Sequence, residues 1–201
     1  MRLQTSALAI FLLVAPALSL AKSPDWNFAE LSLVAISTEE DVPFNHPTGP
    51  EFEGAFLVSK TAFVSVSFSS LSDENSGVEY DVNRLSLGIG YRYAITRKTD
   101  FYGQVSYENA ELKASRDLYM QTFKRSSSDS GFGLAVGLRS RPFKPFETNL
   151  GIEYVNISDD GETQVVASGH LFFTDNFAVG LKIEGLDDLN KIGLSLRYVF
   201  K

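Results

Sequence analysis

The feature that most limits what this chain can become is a two-residue alternation carried by ten separate stretches. The last one, Lys191–Phe200, reads KIGLSLRYVF. Ile192, Leu194, Leu196, Tyr198 and Phe200 are apolar, while Lys191, Gly193, Ser195 and Arg197 between them are charged or small, and only Val199 breaks the set. Successive side chains of a strand point to opposite faces, so such a segment is a strand with one apolar and one polar face. Nine more stretches repeat the pattern, at about Trp26–Ser37, Phe52–Ser59, Ala62–Ser70, Val82–Ala94, Phe101–Ala110, Gly131–Ser140, Phe146–Asn156, Thr163–Phe173 and Phe177–Glu184. The first is the least regular, because Leu31 and Leu33 face one way and Val34 and Ile36 the other.

The only long apolar run outside these strands comes at the start. Arg2 precedes the short run Ala7–Val14, and Ser19-Leu20-Ala21 supplies the small residues of a cleavage site. Residues 1–21 read as a secretory signal peptide, too short in its core to serve as a membrane anchor. Residues 22–201 then form one domain. No other run is long enough for a transmembrane helix, so membrane residence requires a closed barrel of strands. The chain has no cysteine, which excludes a disulfide framework and thiolate metal sites.

Long polar connections alternate with short turns, as they do between the two rims of bacterial barrels. An even strand count returns the C-terminus to the rim where the chain began. The fold class is therefore all-β, a transmembrane antiparallel up-and-down barrel of ten strands, with eight as the alternative. The connection Glu111–Asp129 is expected to be the longest loop, and Arg141–Pro145 a turn. The five long connections together carry twelve net negative charges and read as solvated loops.

Alternation alone does not say which face is inside, since a soluble lipocalin-like barrel has the same period with the faces exchanged. Two features decide. The apolar faces carry no charged residue, whereas the opposite faces carry Glu30, Glu53, Arg84, Arg92, Glu108, Arg139, Glu147, Glu153, Lys182, Glu184, Lys191 and Arg197, six acids and six bases. Eight of the fifteen glycines share that polar face. In a narrow barrel glycine makes room for long Arg and Glu side chains, so the polar face is read as a lumen holding a charge network. Aromatic residues at the ends of the apolar faces, Tyr91, Tyr93, Phe101, Phe146, Phe173, Phe177, Tyr198 and Phe200 toward the short turns and Phe52, Phe68, Tyr107, Phe132 and Tyr154 toward the long connections, read as two interfacial girdles.

With these strands, a signal peptide and a terminal strand ending Tyr198-Val199-Phe200, the chain resembles the small outer-membrane β-barrel family of Gram-negative bacteria, the group of opacity-type and OmpA-like barrels. The resemblance covers about residues 26–200. It implies residence in the bacterial outer membrane, lipid and lipopolysaccharide as surroundings, and a monomeric barrel; the peptidoglycan-binding domain of full-length OmpA-like proteins is not expected here. It also implies delivery to the barrel-assembly machinery through Ile192, Leu194, Leu196, Tyr198 and Phe200. Lys201 after the terminal aromatic, and Ser195 where the family signal often has glycine, depart from that signal.

Few residues suggest chemistry. Gly131–Gly137 has nucleotide-loop glycines but lies inside a strand, where no phosphate cradle forms. Asn156-Ile157-Ser158 fits a glycosylation sequon without a eukaryotic context. Ser168, His170 and Glu184 share the lumen face of neighbouring strands and form a remote candidate for a lipid-directed hydrolase. His46 has no evident partner, and Asp159-Asp160-Gly161-Glu162 is a faint cation-binding hint. No cofactor or metal is expected, and an acidic chain without a basic stripe excludes nucleic acid. The functional expectation is a non-enzymatic barrel with a structural or surface-interaction role. A narrow porin for small solutes is the alternative.

Overall fold

The computed structural model describes residues 23–38, 46–75, 77–118, 121–158, 160–186 and 189–201. The expected signal peptide, Pro43, Asp159, Asp187 and Asp188 lie outside the described residues. Ten strands run in chain order: β1 Phe28–Thr38, β2 Thr48–Leu57, β3 Ala62–Asn75, β4 Val78–Ala94, β5 Thr99–Leu118, β6 Gln121–Phe143, β7 Phe146–Ile157, β8 Asp160–Phe172, β9 Phe177–Leu186 and β10 Leu189–Val199. Each pairs antiparallel with its sequence neighbour, and β1 closes on β10 from Phe28↔Val199 to Thr38↔Leu189. Closure removes both sheet edges, which is how strands can cross a bilayer with every backbone group bonded.

The outer face is apolar. Leu33 on β1 and Leu194 on β10 are 73% and 68% exposed, and Leu87, Ile89, Tyr91 and Tyr93 line the outside of β4. From Leu85 to Tyr93 the strand rises about 26 Å, or about 20 Å of height at the usual tilt, close to the apolar band of an outer-membrane barrel. Inside, Glu30, Glu108, Arg139, Glu147, Lys182 and Arg197 are buried. The irregular first strand obeys the same rule, with Leu31 and Leu33 outside and Ser32 and Val34 inside.

Three of the four short turns use one device. Ser59 Oγ accepts from the Ala62 amide (2.9 Å), Thr96 Oγ1 from Lys98 (3.0 Å) and Thr174 Oγ1 from Phe177 (2.9 Å). A hydroxyl near the first turn position satisfies an amide that the reversal would otherwise leave without a partner.

At the other rim the strands outrun their sequence pattern. The stretch expected to be the loop Glu111–Asp129 is largely strand, because β5 and β6 stay paired up to Leu118↔Gln121. The loop expected before β4 is likewise a hairpin, paired to Asn75↔Val78 with Gly77 at φ 72° in its turn. Above the lipid both faces of a strand meet water. The apolar–polar contrast then disappears although the ladder of hydrogen bonds continues.

Two smaller boundaries also differ from expectation. Pro50 belongs to β2, opposite Leu33, rather than to the first loop. Arg141, Pro142 and Phe143 belong to β6 behind a register irregularity, and only Lys144 and Pro145 make the turn.

Candidate functional site

Among the described residues, polar and charged side chains concentrate in the lumen, and its two ends are built differently. Near the short-turn rim, Glu147 on β7 accepts from Arg139 Nε (2.7 Å) on β6 and from Arg197 Nη1 (3.1 Å) on β10. Arg197 Nε also bonds Glu30 on β1, and His170 Nε2 on β8 meets both Glu30 oxygens at 3.1 and 3.2 Å. Both guanidinium groups lie over the Phe28 ring, at 4.7 and 4.0 Å, and Arg139 also lies 5.0 Å from Trp26. Such stacking suits Arg, whose flat and weakly hydrated head tolerates burial better than an ammonium. Phe28, Ala55, Phe172, Ala178 and Val199 pack below as an apolar cluster. Val199, the residue that breaks the terminal alternation, is fully buried there.

Toward the long-connection rim the cations on the β9–β10 wall are lysines. Lys182 contacts Glu51 (2.7 Å), Glu184 (2.9 Å) and Glu53, while Lys191 contacts Glu51 and Glu184 (3.3 Å). On the opposite wall Arg84 pairs with Glu108 (3.1 Å), whose other oxygen accepts from Ser86 (2.7 Å) and Ser106 (2.6 Å). Glu153 stands 3.8 Å from Arg84 and accepts from Gln164 (3.0 Å). Glu30 and Glu53 sit directly across from one another on β1 and β2. Their repulsion is relieved because one takes Arg197 and His170 and the other takes Lys182.

The glycines turn out to serve rings more than long charged chains. A Cβ on Gly90 would come within 2.2 Å of the Phe63 ring, and one on Gly137 within 2.7 Å of Tyr102. One on Gly180 would come within 2.5 Å of His170. Gly133 does face Glu108, at 2.9 Å. The lumen face is thus carved in part around rings, of which Phe63 and Tyr102 lie outside the polar–apolar reading.

The segment before β1 reaches into the mouth of the barrel. Trp26 Nε1 donates to Asp100 on β5 (2.7 Å), and the same oxygen takes Arg92 Nη1 (2.8 Å). Asp25 pairs with Arg141 on β6 (2.8 Å). Trp26 packs on Phe63 at 4.5 Å and edge-on to Tyr102 at 5.6 Å. Above it lies a cavity of about 210 Å³, bounded from Trp26, Phe28 and Phe63 up to Ser69, Gln164 and Lys191.

All twelve charged residues singled out from the sequence have ion-pair partners. The sequence reading missed Glu51, Asp100, Arg141 and Asp25 as members of the same set, and Trp26, Phe63 and Tyr102 as its packing. Most of these charged residues continue a lumen-facing parity beyond the strand end assigned from the alternation: Glu51 with Glu53, Asp100 with Tyr102 and Arg141 with Arg139. Glu51 falls among the connection charges that read as solvated, but it is buried against the two lysines. The Ser168, His170 and Glu184 set is not assembled. His170 is bonded to Glu30, Glu184 to Lys182 and Lys191, and Ser168 lies opposite Lys182. Among the described residues no group of three or more His, Cys, Asp or Glu side chains is arranged to hold a metal. The five terminal-strand residues Ile192, Leu194, Leu196, Tyr198 and Phe200 all face outward.

A closed antiparallel barrel with an apolar waist and an ionic interior is a transmembrane β-barrel, and its home is the bacterial outer membrane. The chain belongs to the outer membrane protein beta-barrel domain family, whose profile matches residues 5–200. Among solved structures it is similar to Ail, the attachment invasion locus protein of Yersinia pestis, at 16% identity and a TM-score of 0.48, covering 87% of this chain and 97% of that one. It is also similar to Neisserial surface protein A, at 10% identity and TM-score 0.43, covering 86% and 95%. The KdgM porin matches at 8% identity and TM-score 0.48, covering 86% and 99%. No curated protein matches the sequence.

Proposed function

We propose that this protein is a non-enzymatic outer-membrane barrel, closed at rest, whose role is structural or one of contact at the cell surface. The observation that carries this reading is the floor of the lumen. Trp26, Phe28 and Phe63 are buried, and Arg139, Glu147, Arg197 and Glu30 are paired around them with almost no exposed surface. Ion pairs that dry hold the wall-to-wall contacts in place, since separating them would strand a charge in a medium that cannot solvate it. The β3–β4 and β5–β6 hairpins, which rise beyond the aromatic rim, are the surfaces offered for contact. Residues 1–21 serve as the export signal in this reading. The outward row ending in Phe200 is what the assembly machinery recognises, and the barrel works as a monomer among lipid and lipopolysaccharide.

The narrow-porin reading draws on the cavity above the floor. Planar-bilayer recording of the purified protein separates the two. The closed barrel gives no reproducible single-channel steps, and regular steps from the unaltered protein would overturn it.

A further inference from the structure

The segment Ser23–Asn27 spans the barrel mouth from one wall to the other. In the strand ring β1 and β6 stand five places apart in either direction, so they face each other across the full diameter. At the β1 end the segment is tied to the seam. Asn27 Oδ1 accepts from the Leu57 amide (2.8 Å), and the Asn27 carbonyl accepts from the Phe200 amide (2.9 Å). At the far end it is held by Asp25 on Arg141 and by Trp26 on Asp100. Those far contacts are side-chain contacts, with the Asp25 amide approaching Glu147 only at 3.4 Å.

Trp26 is the wall between two spaces. Above it is the lumen cavity, and below it a cleft of about 210 Å³ is lined by Ser23, Pro24, Asp25, Asn27, Leu57, Arg92 and Phe200. Solvent reaches the upper space from the long-connection side, since the Arg84 and Glu53 side chains are 34% and 26% exposed. Trp26 is 4% exposed and Phe63 2%. The wet part of the lumen therefore ends at the indole.

We infer that Ser23–Asn27 is a hinged door over the periplasmic mouth. Asn27 is its hinge, and Asp25–Arg141 with Trp26–Asp100 is its latch. Displacing it joins the lumen cavity to the periplasmic cleft and turns the closed barrel into a conducting one for small polar solutes. This goes beyond the resting state proposed above, and it asks what opens that state rather than whether it exists.

Trp26 is the sole tryptophan of the chain, so its fluorescence reports the door alone. In folded barrels, verified by the shift in gel mobility on heating, wild-type emission should resist acrylamide. Arg141→Gln and Asp25→Asn, which break the same Asp25–Arg141 half of the latch from its two sides without emptying the floor, should raise the quenching constant several-fold. Trp26→Ala in planar bilayers should give single-channel steps where the unaltered protein gives none. Unchanged quenching in both latch variants would overturn the inference. So would a folded Trp26→Ala barrel that stays silent, and that result would leave the closed resting barrel standing. Steps from the unaltered protein would instead overturn the closed resting barrel itself.

Discussion

The two ends of the lumen solve the same problem with different chemistry. At the periplasmic end, two arginines and two glutamates balance one another, and the guanidinium planes lie on Phe28 and Trp26. Toward the surface, Lys182 and Lys191 serve three glutamates beside a cavity, with no ring among the described residues stacked on either ammonium. Arg forks and stacks, so it can be buried dry, whereas Lys is a strongly hydrated point charge that fits best where water or several carboxylates surround it. The dry end is therefore the rigid seal and the wetter end is the adaptable one.

That contrast is breakable in order of expected effect. Glu147→Gln leaves Arg139 and half of Arg197 without a carboxylate inside the floor, and it should cost about 3–5 kcal/mol in urea unfolding from phospholipid vesicles. A cost below about 1 kcal/mol, the scale of an exposed pair, would mean the floor is wetter than its burial suggests.

The contrast sharpens if the two cations are exchanged in type. Arg197→Lys keeps the charge but loses the fork to Glu30 and Glu147 and the stacking on Phe28, a loss of about 1–3 kcal/mol. Lys191→Arg, which keeps the charge against Glu51 and Glu184 and loses no ring stacking, should change stability by less than Arg197→Lys does. Equal effects at the two sites would erase the distinction drawn between them. Smallest of all, Lys113→Ala on the projecting hairpin removes only the exposed pair with Glu111 (2.9 Å), worth roughly 0.5 kcal/mol or less.

The sequence made the membrane-embedded part of the barrel legible because lipid and lumen make opposite demands on alternate residues. Leu85 to Tyr93 on β4 carries that contrast over its whole length, and Ile192 to Phe200 at the terminus carries it except at Val199. It fades where the contrast fades. Residues 111–118 and 121–129 pair as strands in water, so neither face is marked and the hairpin reads as a serine-rich loop.

The site was legible as charges and illegible as packing. Glu147 and Arg197 are visible from parity, but nothing in the sequence tells that Phe28 lies beneath Arg197 or that Trp26 lies across the mouth. Those contacts join residues on different strands, neighbouring for Phe28 and Arg197 and facing across the barrel for Trp26 and Asp100, and alternation carries information only along one strand. His170 shows the cost of this limit. Its strand neighbours suggest Ser168 and Glu184, while its actual partner, Glu30, comes from three places away around the barrel wall.

The central claim is that water enters this lumen from the cell-surface side and stops at a sealed floor. The chain lacks cysteine, so single cysteines can be placed at will. Ser69 borders the upper cavity, and Ala178 is fully buried in the apolar cluster below the floor. In intact membranes a small, charged, membrane-impermeant thiol reagent should modify Ser69→Cys readily and leave Ala178→Cys untouched until the barrel is unfolded. Comparable labelling of both in the folded barrel would show a lumen open from end to end and would contradict the account.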